Sequence, residues 1–575
     1  MLFRSPKNVL PYLRYLSPAD YNHLFFVDNT TTILDVSINA PTTSTSSCSA
    51  ATYWLCDKKT SITTTVYPDD SYDLDLNETS WRSVLIGGMG LGGATRNKGV
   101  ACNSSSVLPN GTFGNCVNTP VNNVGYSAYF ALDVTNPQNP GMMWEFPDKD
   151  KASHAPALGA LGFATTGPAI VRVGQRTGAG TVADPFKPGF GKNGRWFAVF
   201  ASGPTGPLDT VGHQFYGRSD QNLKLFIVDL KSGELLRTID TTIPNAFAGS
   251  LYNSVIDTEK WDTKSPGNYS DNVLYVGFTK PKTVAGVTDW IAGGVGRLMI
   301  GDDPADVSSW KWSVVINDIG PVTSSIAKLQ DRRAKNLWLY FGTGRYYHKA
   351  DDPDTVQALY GIKEPCYSTS SAADKVNTID FSCTTSTALS KADLTDQSCC
   401  TPNVPAKGWY ISLEPKTTSY MAQRQISAPR ANLNGKVDFT TFKPTADICG
   451  FGGLTKPFAV KYDTGGPPPA GTLTGKVLIQ LSTGSFVSVD QASAYTDRAC
   501  NSNDIGCNPA LPPSDTPLPP PPPPAPPVPG VVKPPTVTGT GRQVTGGFIG
   551  VPPAGASAPI MRPKGINKIL HTQER

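Results

Sequence analysis

Charge is scarce in this chain. Only 17% of its 575 residues are charged, and 50 basic against 46 acidic side chains leave a formal net charge of +4 with no basic block. That excludes the electrostatic footprint needed to hold phosphate backbones or anionic lipid, so no nucleic-acid partner is expected. Histidine is scarcer still: His23, His154, His213, His348 and His571 lie far apart, and no GxSxG, HExxH or P-loop occurs. Without a nucleophile, base and orienter set the chain reads as a non-enzyme. No stretch approaches the ~20 apolar residues of a membrane span. The opening MLFRSPKNVLPYLRYL has no uninterrupted apolar core, so no export signal is legible in it.

What is abundant points the other way, to many short strands joined by turns. Glycine (55) and proline (51) are frequent, threonine and serine are everywhere, and runs at helical spacing are hard to find. Eleven cysteines sit in polar loops, with no CxxC pair and no histidine at ligand spacing. They read as disulfides formed in an oxidising compartment. Short separations favour Cys48 with Cys56, Cys102 with Cys116, and Cys500 with Cys507. The odd count leaves at least one thiol free or paired with another chain, and the adjacent Cys399 and Cys400 are each expected to pair elsewhere.

A degenerate repeat organises the first two thirds. One kind of strand is alternating: HLFFVDNTTTILDV from His23, TTGPAIVRV ending at Val173, LYNSVIDTE from Leu251 and VTSSIAKLQ from Val322. A second is nearly continuously apolar and ends in glycine, as in WRSVLIGG, RWFAVFASG, NVLYVGF and NLWLYFGTG, which is the signature of a strand buried on both faces. A third is strand, turn, strand around an acidic turn, as in YFALDVTNPQNPGMMWEF, LKLFIVDLKSGELLRTID and GRLMIGDDPADVSSWKWSVV, and more faintly ALYGIKE. Together they predict an all-β chain, a β-propeller of four-stranded blades with at least four units. The expected division is blades over 1–365, a Cys-rich surface loop over 366–407, one or more carboxy-terminal blades over 408–498, a Cys loop and polyproline linker over 499–545, and a tail over 546–575. The linker LPPSDTPLPPPPPPAPPVPGVVKPP reads as extended polyproline II at ~3.1 Å per residue, so the folded body is expected to end near Arg498.

Two local patterns invite a ligand. Gly88, Gly90 and Gly93 have GxGxxG spacing after a strand, but no helix follows, so no dinucleotide site is assigned. Asp257, Glu259, Asp262 and Asp271 form an acidic interstrand loop that can hold calcium through oxygen ligands. EF-hand spacing is absent, and a solvated loop with weak or no calcium affinity is the plainer expectation.

In this order, NVLPYLRYL, HLFFVD, ILDV, WRSVLIGGMGLGG, YFALDVTNPQNPGMMWEF, NLWLYFGTGRYY followed by DD, ALYGI, GWYISL and KVDFTTFKP resemble the type IV pilus tip-adhesin and biogenesis-factor family, the PilC/PilY group, from about Asn8 to about Asp490. The resemblance implies the carboxy-terminal part of such a protein, a modified seven-bladed propeller exported through the periplasm to the cell surface. It implies a place at the pilus tip beside minor pilins, a role against pilus retraction, and adhesion to a host or surface ligand. The resemblance also leads one to expect an export signal and a large amino-terminal adhesive domain, neither of which is legible in the residues given. The chain departs from the family in the calcium loop, where VIDTEKWDTKSPGNYSD carries over only Asp257, Glu259, Asp262 and Asp271, and in an insertion between Gly93 and Tyr129 that Cys102 and Cys116 would staple. Two expectations stand equally beside these departures: a separately encoded amino-terminal half that completes an open propeller as a partner, or a misassigned or truncated start. The competing readings are a quinone-dependent dehydrogenase propeller, disfavoured by the missing CxxCH haem site, and a glycan-binding or purely structural propeller.

Overall fold

The computed structural model describes residues 26–466 apart from some interstrand segments, of which 92–126 is the longest, together with Lys7, Leu10 and the strands Lys476–Gln480 and Phe486–Asp490. Among the described residues the chain is all-β, relieved only by short 3-10 turns at Ala50–Leu55, Ala152–Ala157 and Lys391–Asp393. The strands form successive antiparallel meanders. The first sheet is Thr32–Ser37, Trp81–Gly88, Tyr129–Asp133 and Gly141–Phe146, in that order. The second is Ala169–Val173, Arg195–Ala201, Lys224–Asp229 and Leu235–Asp240. In the third, the two short strands Phe247–Ala248 and Val255–Ile256 pair with Val273–Val284, followed by Val287–Met299 and Lys311–Ile319. The fourth runs Ala327–Asp331, Asn336–Gly342, Ala358–Lys363 and Gly408–Ser412, with Thr395–Asp396 added in parallel outside. A fifth sheet holds Arg430–Ala431, Lys436–Pro444 and Gly453–Lys461.

The continuously apolar strand sits second in each of the first four sheets because a strand flanked on both sides and packed on both faces has no room for polar side chains. Leu274, Val276 and Phe278 face the second sheet, packing with Val199, Leu225 and Ile227. Val273 and Tyr275, on the alternate face, pack with Leu337, Leu339 and Phe341 of the fourth. Equivalent cores join the first sheet to the second, through Val84, Ile86 and Tyr129 against Phe200 and Phe226. The fourth meets the fifth through Trp338, Tyr340 and Trp409 against Val437, Phe439 and Val460. Five sheets are thus stacked face to face through four apolar cores.

The repeat extends to single atoms. Arg82 Nε lies 3.4 Å from Asp133 Oδ2, and Arg195 Nε lies 2.9 Å from Asp229 Oδ2. In both sheets the arginine precedes by two residues the one paired in register with the aspartate, Val84 opposite Asp133 and Phe197 opposite Asp229. The acidic turn read from sequence is therefore also an anchor for the second strand.

Two boundaries differ from the sequence reading. Gly408–Ser412, expected to open a carboxy-terminal unit, pairs antiparallel with Ala358–Lys363 and completes the fourth sheet. The long insertion between those strands hides their pairing from a linear reading. Nor is that insertion only a surface loop: Cys366, Tyr367, Ile379, Leu389 and Leu394 enter the core between the third and fourth sheets. Leu389 N donates to Val315 O at 2.8 Å and Asn317 N to Leu389 O at 2.9 Å, so the segment covers the outer edge of the third sheet.

A Cys366–Cys383 disulfide closes this segment, and Cys48–Cys56 closes another. The proposed pairs Cys102–Cys116 and Cys500–Cys507 lie outside the described residues, as does the proline-rich tail. Because the Cys366 loop spans 17 residues and is bonded to the third sheet, replacing Cys366 and Cys383 by alanine should lower stability by about 2–4 kcal/mol. Chemical denaturation measures this, and a loss below about 0.5 kcal/mol would show that the packing alone holds the segment.

Candidate functional site

The strand Val255–Ile256 is only two residues long because Asp257 turns the chain back on itself. Its Oδ1 accepts from Glu259 N at 2.9 Å and its Oδ2 from Ser270 N at 3.4 Å. Asp271, just before the next strand, exchanges main-chain and side-chain bonds with the first strand of the second sheet. Asp271 Oδ2 accepts from Arg172 N at 2.7 Å, and Asp271 N donates to Arg172 O at 2.8 Å. The Arg172 guanidinium donates to Asn193 O at 3.0 Å, to Lys192 O at 3.2 Å and to Tyr269 O. Glu259 turns elsewhere, accepting from Thr378 Oγ1 at 3.0 Å, which ties the acidic loop to the segment closed by Cys366–Cys383. Asp262 lies outside the described residues.

Asp257 and Asp271 are 8% and 3% exposed, so this is a buried acidic pair rather than a solvated loop. Burial, and then the neighbouring Asp271 charge, pushes Asp257 up to about 7. Burial also pushes Asp271 up to about 7 against the opposing pull of Arg172. Tyr269 is raised in turn, foremost by the Asp271 charge. Half-buried Lys328, whose Nζ donates to Asn253 O, is held down to about 7 by burial despite the attraction of Asp271.

Calcium needs six to eight oxygen ligands. Among the described residues no group of three His, Cys, Asp or Glu side chains is placed to hold a metal ion, and both Asp257 carboxylate oxygens already accept main-chain N–H bonds.

The pair has a consequence for pH. Both carboxyls ionise near pH 7 in the folded chain against 3.8 ordinarily, so between those values the folded state binds more protons than the unfolded one. Stability from this pair is therefore highest at the acid end, falls as pH rises from about 4 to about 7, and then levels off. Asp271→Asn removes one charge beside Arg172, Tyr269, Lys328 and Asp257. It should flatten this fall and raise stability at pH 7.5 by about 1–3 kcal/mol, measured by urea denaturation across pH. Parallel pH profiles for the two proteins would show that the carboxyls are not strained.

A second cluster was legible only as part of the segment GTGRYY followed by DD. Arg345, Asp351 and Arg424 are each at most 1% exposed. Arg345 Nη1 donates to Gly217 O at 3.2 Å, and its Nη2 reaches Asp289 Oδ1 at 3.1 Å and Asp351 Oδ1 at 2.7 Å. Arg218 Nη2 also approaches Asp289, at 3.4 Å. Asp351 Oδ2 accepts from Tyr347 N at 2.8 Å. Arg424 donates to the carbonyls of Arg345 (2.8 Å), Asp351 (2.6 Å), Asp352 (2.8 Å) and Ala422 (3.1 Å). Gly217 allows the close approach: it has φ +58°, and a Cβ there would lie 2.3 Å from the Tyr347 ring. Residues flanking the second, third, fourth and fifth sheets thus meet at one point. The terminal nitrogens of Arg345 and all three nitrogens of Arg424 are taken up by carbonyls and carboxylates, which suits a structural junction.

No protein-family model matches the chain. Among curated proteins, a type IV pilus biogenesis factor PilY1 homolog from Xylella fastidiosa is 21% identical over 465 residues, covering 80% of this chain and 27% of that protein. The PilY1 biogenesis factor of Pseudomonas aeruginosa is 23% identical over 259 residues, covering 41% of this chain and 18% of its own length. The chain is similar in sequence to the PilY1 pilus biogenesis factors. Among solved structures, the carboxy-terminal domain of Pseudomonas aeruginosa PilY1 aligns with a TM-score of 0.41 and 16% identity, over 74% of this chain and 81% of that one. The chain spans about a quarter or less of the length of the curated PilY1 proteins it matches.

The glycine string shared with the segments that carry the PilY1 likeness has a structural use here. Gly90 has φ +60°, and a Cβ on it would lie 1.7 Å from Asp28 Oδ1, which accepts from Leu91 N at 3.0 Å. A carboxylate occupies the turn where a phosphate site would need open main-chain N–H groups.

Proposed function

We propose that this chain serves type IV pilus biogenesis at the cell surface as a non-enzymatic β-propeller. It would act at the pilus tip with minor pilins, opposing retraction and contributing to adhesion on a host or surface ligand. The observation that carries this reading is the similarity to PilY1 biogenesis factors along 80% of the chain. The stacked four-stranded meanders support it, since propellers are built from such units. The two buried charged clusters support a binding or structural protein over a catalyst, since their polar atoms are largely engaged by main-chain groups.

Deleting the gene in its own organism should abolish surface pili and twitching, and pili should return when retraction is also disabled. Normal piliation in the deletion strain would refute the role, and pili still absent without retraction would refute the anti-retraction part of it.

A further inference from the structure

Beyond the core shared by the second and third sheets lies a cleft of about 500 Å³. Leu274, Val276 and Phe278 pack between these sheets, and Lys280 comes next on the same face of their strand. There the apolar packing stops. Ile243 and Pro244, from the chain leaving the second sheet, and Pro281 and Ala292 of the third supply the apolar lining of the cleft. A concave, mostly apolar space of this size with a few convergent polar groups is the usual form of a ligand site.

Two polar groups there are unspent. Asn317 lines the cleft, and its Oδ1 is buried with no hydrogen-bond partner among the described residues. Lys280 Nζ is held by Asp318 Oδ1 at 2.6 Å, whereas exposed Lys282, also in the lining, has no ion-pair partner among the described residues. The backbone on both sides is strained. Thr242 and Asp318 line the cleft at φ +62° and +57°, and Asn245 follows at +50°. For a β-branched residue this conformation is an outlier, and strain of this kind gathers at ligand clamps.

These groups define what would fit. Lys282 calls for a carboxylate, the lone Asn317 oxygen for an N–H or O–H donor, and the aliphatic lining for a small apolar group. No aromatic ring lines the cleft to carry the C–H face of a sugar. A peptide supplies all three requirements at once, through its main-chain N–H, a small aliphatic side chain and an acidic neighbour.

We propose that this cleft binds an extended peptide segment of a partner protein, in which a small aliphatic residue stands next to an acidic one. A peptide N–H donates to Asn317 Oδ1, and the acidic side chain pairs with Lys282. Such binding does not depend on a pilus role, and it is read on the purified chain alone.

The test is an immobilised array of glycine-flanked hexapeptides carrying every pair of residues at the two central positions, probed with the labelled full chain. Peptides with valine, alanine or isoleucine beside aspartate or glutamate should bind best, at least tenfold more tightly than the same peptides with lysine in the acidic position. Lys282→Glu changes an exposed side chain, so thermal unfolding should stay unchanged while the preference turns from acidic to basic peptides. Asn317→Leu should weaken the acidic peptides severalfold and leave their advantage over basic ones in place. An array with no preference for acidic residues would overturn the proposal, and so would an acidic preference that ignores Lys282→Glu. Sialyllactose or glucuronate binding that Lys282→Glu abolishes, in a chain that ignores the peptides, would assign the cleft to an acidic sugar and overturn it as well.

Discussion

Glu364→Ala should destabilise the folded chain by about 3–5 kcal/mol, among the largest effects of any single polar substitution. Its carboxylate and the Arg297 guanidinium are both fully buried and hydrogen-bonded to each other. Arg297 Nε also donates to Ser313 Oγ at 3.0 Å, and Glu364 Oε1 accepts from Cys366 N at 2.8 Å. The pair therefore joins the third sheet, the fourth sheet and the entry to the covering segment. Removing the carboxylate strands a cation among Tyr275, Val295 and their neighbours, where hydration cannot reach it. Replacing both partners, as Arg297→Met with Glu364→Leu, should recover most of the loss, because the desolvation cost disappears along with the attraction. A loss below about 1 kcal/mol for Glu364→Ala in urea denaturation would contradict the assignment.

Arg424→Met should cost a similar amount, about 3–5 kcal/mol, by a different route. Four buried carbonyls lose their donor at once, three of them in the Arg345–Asp352 turn of the fourth sheet. The damage should be local, with faster amide exchange at 345–352 and at 422–427, and with the cores between the first three sheets unaffected. Arg424→Lys should rescue little of it, since one ammonium cannot span carbonyls that a planar guanidinium reaches together. Rescue by lysine would mean that the charge, and not the fork of donors, holds the turn.

Both residues show where the sequence was opaque. WRSVLIGG, RWFAVFASG, NVLYVGF and NLWLYFGTG announced the second strand of four sheets because burial on two faces leaves a local trace in composition. Arg297 with Glu364, or Arg424 with Asp351, leave no such trace, since each pairing crosses sheets and each residue alone looks like ordinary surface charge. Cys366 and Cys383 escaped for a related reason. Nothing in their spacing distinguishes a bridge inside a folded segment from the shorter pairs that proximity favours. The acidic loop was visible, but its burial was not: Asp257 and Asp271 are enclosed by Arg172 and Tyr269, which lie on either side of a sheet boundary. The strand Val273–Val284 also runs past the point where Pro281 suggests a break. A register shift between Lys280 and Lys282 absorbs the proline, and Ala285 and Gly286, both at positive φ, turn the hairpin without the Asn-Gly or Asp-Gly pair that usually signals one.

The pilus role is tested most directly by locating the chain. Pili sheared from the organism that encodes it, separated from envelope material and analysed by mass spectrometry, should contain peptides of this chain at far below the amount of the major pilin, with antibody label at fibre ends. The same fraction from a strain that makes no pili should lack them. Equal amounts in both fractions, or label along the fibre sides and none at the ends, would contradict a role at the pilus tip.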